Sequence, residues 1–192
     1  MIYIGKIKKA VNFAIKVHEI DQKQKRKGKD IAYIFHPLAV GLILSQVKAD
    51  EDVIVAGILH DTVEDSIGGK KVTPRILKEE FGENVAELVM SVTENKELPW
   101  EKRKQETINN IKGFSNGSLL LKSADVISNV SEIIDDYNQN GYKNFEEFNA
   151  PKPKKENTIH NYSDTINAIL IRWSENPLKD DLLFLNEKLT KI

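Results

Sequence analysis

The chain has 192 residues, a length that fits one domain or at most two small ones. Its 28 basic and 29 acidic residues leave a net charge of −1, which speaks against a dedicated nucleic-acid or membrane-surface binder, where a basic excess is expected. Apolar residues make up 40%, enough for a core; the absence of cysteine excludes disulfides, thiolate zinc sites, iron–sulfur clusters and cysteine nucleophiles, so any metal must be held by carboxylates and the four histidines.

The apolar spacing predicts helices nearly throughout and no alternation long enough for a sheet. Ile7, Ala10, Val11, Ala14, Ile15 and His18 recur at i, i+3, i+4 and define a first amphipathic helix. His18 lies on its apolar face and is read as a satisfied core residue or a support behind a site. A basic stretch follows at Lys23, Lys25, Arg26, Lys27 and Lys29, either a solvated loop or one that faces phosphate. Pro37 suits the first turn of a second helix through Val47. Asp50 reads as the N-cap of a nearly all-apolar helix running to Val63, which should be central. Thr73-Pro74 reads as N-cap and N1 of a short helix that Gly82 breaks, and Val85, Leu88, Val89 and Val92 carry the next. Pro99 opens a charged helix to Ile111. A long helix covers Leu119–Tyr137, and two more lie around 157–173 and 178–190. Trp100 and Trp173 read as packing residues, and His160 receives no role. Met1-Ile2-Tyr3-Ile4-Gly5-Lys6 lacks a long apolar h-region, and no stretch reaches the roughly 18 apolar residues of a membrane span, so a cytoplasmic protein without membrane partners is expected.

Two polar clusters interrupt this apolar pattern. The central helix ends in His60-Asp61-Thr62-Val63-Glu64-Asp65. On a continuous helix these spacings place His60, Asp61, Glu64 and Asp65 on one broad face. Carboxylates are unfavourable at a helix C-terminus, so a positive charge, such as a divalent cation, is expected there. Asp125 shares the side of apolar Leu121 in the long helix and should point inward or into a cleft, with Asn129 one turn on. His36 stands beside Pro37. Together His36, His60, Asp61 and Asp125 are two imidazoles and two carboxylates. That set suits Mn²⁺, Fe²⁺, Zn²⁺ or Mg²⁺, with the mixed N/O ligation favouring a transition metal. A cation there would acidify a water, which Glu64 and Asp65 could orient or deprotonate, and this is hydrolytic chemistry, most naturally at phosphorus.

The order H…HD…D resembles the HD-domain metal-dependent phosphohydrolase superfamily. The likeness is closer to its RelA/SpoT-type branch, with the single-domain small alarmone hydrolases that include the metazoan SpoT homologues. Four motifs carry it: Arg26-Lys27-Gly28 with Tyr33-Ile34-Phe35-His36-Pro37-Leu38; Ala56-Gly57-Ile58-Leu59-His60-Asp61-Thr62-Val63-Glu64-Asp65; Phe81-Gly82-Glu83-Asn84-Val85-Ala86-Glu87-Leu88-Val89-Met90-Ser91-Val92-Thr93; and Lys122-Ser123-Ala124-Asp125 with Asn129. The resemblance as a whole runs from about residue 8 to about 173.

The resemblance implies an all-α HD-domain fold of about ten helices. It would form a single domain over 1–192, with the metal between the 36–47, 51–65 and 119–137 helices. It implies His36, His60, Asp61 and Asp125 as ligands of Mn²⁺, Glu64 and Asp65 as the pair that activates water, and Arg26, Lys27, Asn129 and Tyr162 as nucleotide contacts. The implied reaction removes the 3′-pyrophosphate of (p)ppGpp, leaving GDP or GTP. Positions where the branch often carries cations are Val126, Ser131 and Thr158 here, and Ser128 stands at a frequent histidine. Lys152, Lys154, Lys155 or the 23–29 loop would have to substitute. That keeps open a phosphohydrolase for another nucleotide (a pyrophosphorylated adenosine nucleotide, NADPH 2′-phosphate or a nucleoside monophosphate) and a non-catalytic nucleotide sensor or antitoxin partner. Acids gather near 61–65 and bases near 23–29 and 152–155, so the near-neutral total is compatible with a small polyanion bound locally. No pattern fixes an oligomeric state.

Overall fold

A computed structural model describes residues 4–192; the first three residues of the N-terminal stretch read for a targeting signal lie outside the described residues. Among the described residues there are helices and no strand, only an isolated antiparallel bridge between Lys25 and Ala32, as the all-α expectation requires. No helix among them is long and apolar enough to cross a membrane. The chain divides into two compact units, Met1–Glu94 and Asn95–Ile192.

The first unit contains α1 (Gly5–Ile15), continued by a π-helical turn (Lys16–Asp21), α2 (Phe35–Gln46), α3 (Glu51–Leu59), α4 (Thr62–Asp65), α5 (Pro74–Phe81) and α6 (Glu83–Val92). A run such as Val53-Ile54-Val55-Ala56-Gly57-Ile58-Leu59 is apolar on every side, so it can only be a central helix. α3 accordingly packs against α1, α2 and α6 and buries Val55, Ala56 and Leu59 completely. Its first turn is tied to both flanks. Asp52 accepts hydrogen bonds from Lys6 Nζ and, at 2.9 Å, from Asn84 Nδ2. These two bonds hold the Asp52 carboxyl below its usual range. Thr73 caps α5 through its hydroxyl, with Pro74 behind it as expected. Gly82 joins α5 to α6 at φ 94°, a conformation a side chain would strain.

α2 and α3 approach closely because Gly41 has no side chain. A Cβ there would stand 2.8 Å from Ile58 Cγ1, and Ile58 is itself buried. Gly41 lies five residues after His36, and Ile58 two residues before His60. The same approach therefore sets the separation of the two histidines.

The second unit contains α7 (Trp100–Ile111), α8 (Asn116–Asn140), a 3₁₀ stretch (Gly141–Glu147), α9 (Lys154–Arg172) and α10 (Lys179–Leu189). α8 starts where the Ser115 side chain accepts the Ser118 N–H and stops at Gly141, whose φ of 62° suits glycine. α9, α10 and the 3₁₀ stretch all pack on α8. Asn176 is a buried polar tie: its Nδ2 donates to Ser123 Oγ at 2.9 Å and its Oδ1 accepts the Leu178 N–H at 2.9 Å.

Two consequences are measurable by urea denaturation. Gly41→Ala gains helix propensity but drives Cβ into Ile58, and overpacking should leave a net loss of about 1–2 kcal/mol. Asp52 has a lowered folded pKa, so its contribution is present above its unfolded pKa and is lost as pH falls through the folded value. Asp52→Asn should therefore cost up to about 1 kcal/mol at pH 7, and the difference from wild type should vanish in strong acid.

Candidate metal centre

The continuous helix expected from Val53 to Val63 is interrupted. α3 ends at Leu59, His60 and Asp61 form the break, and Thr62 begins the separate one-turn α4. The cause lies in side chains that take the carbonyls the helix would have used. His60 Nδ1 is 2.8 Å from the Gly57 carbonyl, and Thr62 Oγ1 donates to the Leu59 carbonyl at 2.7 Å. His60, Asp61, Glu64 and Asp65 therefore do not share the one face of a continuous helix that their spacing predicts; the break redirects them individually.

A carbonyl can only accept, so the Gly57 contact places the proton of neutral His60 on Nδ1 and the lone pair on Nε2. That lone pair faces inward. His60 Nε2 lies 3.3 Å from His36 Nε2, and both rings are buried. Asp61 Oδ2 stands 3.1 Å from His60 Nε2 and 3.7 Å from His36 Nε2. Two ring nitrogens and a carboxylate oxygen thus lie within 3.7 Å of one another, and this donor set fits a divalent cation. Holding the far ring nitrogen on a backbone carbonyl is the usual way to orient a ligating imidazole.

Tyr33, to which no role was assigned from sequence, joins this group. Its hydroxyl donates to Asp61 Oδ2 at 2.7 Å. Burial, then the Asp61 and Asp65 carboxylates, push the phenol well above its ordinary value, so it stays a donor through the physiological range. The basic loop packs on the same ring: the Arg26 guanidinium lies 5.5 Å from its centroid. The loop is held in place. Arg26 N–H donates to the Ile31 carbonyl at 2.9 Å, Tyr33 N–H to Gln24 at 3.1 Å, and Lys25 pairs with Asp30 at 2.9 Å. Lys27 is exposed.

His18 is fully buried, as expected of a supporting residue; Nδ1 contacts Gln24 Oε1, and Nε2 has no hydrogen-bond partner among the described residues. Its neighbour Glu19 accepts the Ile34 N–H at 3.0 Å and so fixes the entry to α2. Both come from the π-helical turn, a distortion that spacing arguments built on 3.6 residues per turn do not anticipate. Glu64, at the end of α4, accepts the Glu94 N–H at 3.0 Å, and Asp65 follows it with a half-buried side chain.

In the second unit Asp125 is 9% exposed and flanked on its own helix. Lys122 Nζ donates to its Oδ2 at 2.8 Å, and Asn129 Nδ2 to its Oδ1 at 2.7 Å. Asn129, expected as a nucleotide contact, is thus placed on the Asp125 carboxylate. Tyr162 is half-buried on α9, one turn after buried Thr158. Lys154 donates to the Glu146 carbonyl and Lys155 sits over the Tyr137 ring at 4.7 Å, so both are engaged within this unit. His160 is exposed, and Trp100 and Trp173 are half-buried.

The fold and this centre mark a class that comparison with known proteins makes definite. The HD domain family model matches residues 10–136, and the chain belongs to that family. Among curated relatives, the guanosine-3′,5′-bis(diphosphate) 3′-pyrophosphohydrolase MESH1 of Danio rerio is 35% identical over 125 residues, 64% of this chain and 66% of that protein. The Xenopus tropicalis MESH1 is 34% identical, over 66% of this chain and 69% of its own length. The match to a GTP pyrophosphokinase of Myxococcus xanthus, 47% identical over 45% of this chain, takes in 10% of that longer protein. The chain spans about two thirds of these two MESH1 proteins and a small part of the longer pyrophosphokinase. A solved structure described as a metazoan ortholog of SpoT that hydrolyses ppGpp has the same fold, with a TM-score of 0.79 and 23% identity over 98% of this chain and 97% of that one.

Removing the carboxylate at the break isolates its role. Asp61→Ala should weaken Mn²⁺ binding at least about 10-fold by isothermal titration calorimetry, with the melting temperature largely kept because the residue lies outside the apolar core.

Proposed function

We propose that this chain is a metal-dependent phosphohydrolase that removes the 3′-pyrophosphate of guanosine 3′,5′-bis(diphosphate) and its triphosphate analogue. The carrying observation is the convergence of His36 Nε2, His60 Nε2 and Asp61 Oδ2 in an HD-domain chain whose relatives are named as 3′-pyrophosphohydrolases. His36, His60 and Asp61 hold the cation. Asp125 completes the set on the strength of the H…HD…D pattern, with Lys122 and Asn129 fixing its two oxygens. Mn²⁺ is the metal proposed, since two imidazoles favour a transition ion over Mg²⁺. A 1–192 single domain is the organisation proposed, because the family match runs across both compact units.

When bound, a divalent cation lowers the pKa of a coordinated water and offsets charge on phosphoryl oxygens. The chain's own residues supply the rest. Glu64, held from behind by the Glu94 N–H, takes the proton of the attacking water, and Asp65 orients it. Water oxygen bonds to the phosphorus carried on the ribose 3′-oxygen; the bond from that phosphorus to the 3′-oxygen breaks, and a proton is delivered to the oxygen. Pyrophosphate leaves and the 3′-hydroxyl is restored. Arg26, seated on Tyr33, and exposed Lys27 offset the phosphate charge, and Tyr162 contacts the nucleotide. The site of action proposed is the cytoplasm.

One observation favours a second reading. Val126 is 1% exposed and Thr158 is buried, so two positions where the branch often carries cations are apolar or uncharged and turned into the packing. A phosphohydrolase for another nucleotide would tolerate this. The test is a panel of guanosine and adenosine nucleotides and NADPH with Mn²⁺-loaded protein, phosphate and pyrophosphate being measured separately. Pyrophosphate from ppGpp is the expected product; its absence, with phosphate or pyrophosphate released from another nucleotide, selects the second reading. Glu64→Ala should keep Mn²⁺ affinity while lowering kcat about 10²–10⁴-fold, the usual worth of a general base.

A further inference from the structure

We infer that Tyr33 is the positioning residue of the metal centre, its hydroxyl aiming the Asp61 carboxylate at the His36–His60 pair. The inference rests on the reading of these residues as metal ligands and adds a residue to which neither the sequence motifs nor the chemistry above gave a role.

A free aspartate does not orient its own carboxylate. Rotation about its last side-chain torsion is broad and roughly two-fold, so packing alone fixes neither the carboxylate plane nor which oxygen faces a neighbour. At Asp61 the backbone offers little restraint, because the residue sits in the break between α3 and α4, at φ −90° and ψ −6°. Tyr33 supplies the restraint. It donates at 2.7 Å to Oδ2, the same oxygen that stands 3.1 Å and 3.7 Å from the two imidazole nitrogens. A carboxylate oxygen accepts a donor on one lone pair and keeps another for a cation, so the bond orients the oxygen without consuming it.

Tyr33 is itself held at three points. Its N–H donates to the Gln24 carbonyl at 3.1 Å, and its carbonyl accepts the His36 N–H at 3.1 Å in the turn that leads into α2. Its ring lies against the buried His18 ring, centroids 5.0 Å apart. One residue therefore touches the Asp61 ligand through its hydroxyl, the His36 ligand through its main chain and Arg26 through its ring face. A phenylalanine would fill the same space. Only the bond to Asp61 would be lost.

Tyr33→Phe in the full chain tests this by Mn²⁺ titration calorimetry, with the electron paramagnetic resonance spectrum of the bound Mn²⁺ as a second readout. The expected result is a Kd raised about 10-fold or more, an altered Mn²⁺ spectrum and a melting temperature close to wild type. A packing role would leave both metal readouts unchanged, and a Tyr33→Phe protein that binds Mn²⁺ with wild-type affinity and spectrum overturns the inference while leaving the metal centre standing. A wild-type protein that binds no Mn²⁺ overturns the centre and the inference together.

Discussion

The close approach of α2 to α3 is the constraint on which the centre depends. Gly41 leaves no room for a Cβ against Ile58, and the two helices meet at that point. His36 lies five residues before Gly41 in α2, and His60 directly follows the end of α3. Their Nε2 atoms consequently reach 3.3 Å, a separation that side-chain flexibility alone would not hold. Burial of both rings in an apolar unit raises the cost of leaving their nitrogens without a partner, a role that a bound cation would fill.

Around that pair the chain spends local regularity to orient its polar groups. The helix is broken at His60, because His60 and Thr62 turn back onto the carbonyls of Gly57 and Leu59. The π-helical turn at Lys16–Asp21 likewise abandons ordinary helical hydrogen bonding and turns Glu19 toward the Ile34 N–H and His18 toward Gln24. In both places a distortion of the backbone coincides with the residues that hold a candidate ligand or the basic loop. Departures from regular geometry of this kind cluster at functional sites because the chemistry needs directions that a regular helix does not provide.

Much of the fold was legible in the chain. The apolar run of α3, the Thr73-Pro74 start of α5 and Gly82 at its end carry local chemistry that any fold must respect, and each lies in or beside the helix expected of it. The ligand types were legible too, since a cysteine-free chain with four histidines leaves few ways to bind a metal. Other expectations had to be corrected. The helix through Val63 stops at Leu59, because spacing cannot reveal a side chain that competes for a backbone carbonyl. Tyr33 gave no periodic signal at all, standing in an irregular loop where only its partner defines its role.

The sequence by itself determined an all-helical chain, the inventory of imidazoles and carboxylates, and the ordered motifs that place it in the HD-domain family. Those follow from residue identity and from short-range periodicity, both of which survive without a partner. The tertiary structure alone decided that His36 and His60 face each other, that Asp61 turns the oxygen held by Tyr33 toward them, and that Glu64 is braced by the Glu94 N–H. These are relations between residues about 25 to 30 positions apart, produced by helix packing and by hydrogen bonds across loops, and no local pattern encodes the direction in which a side chain points once its helix is interrupted.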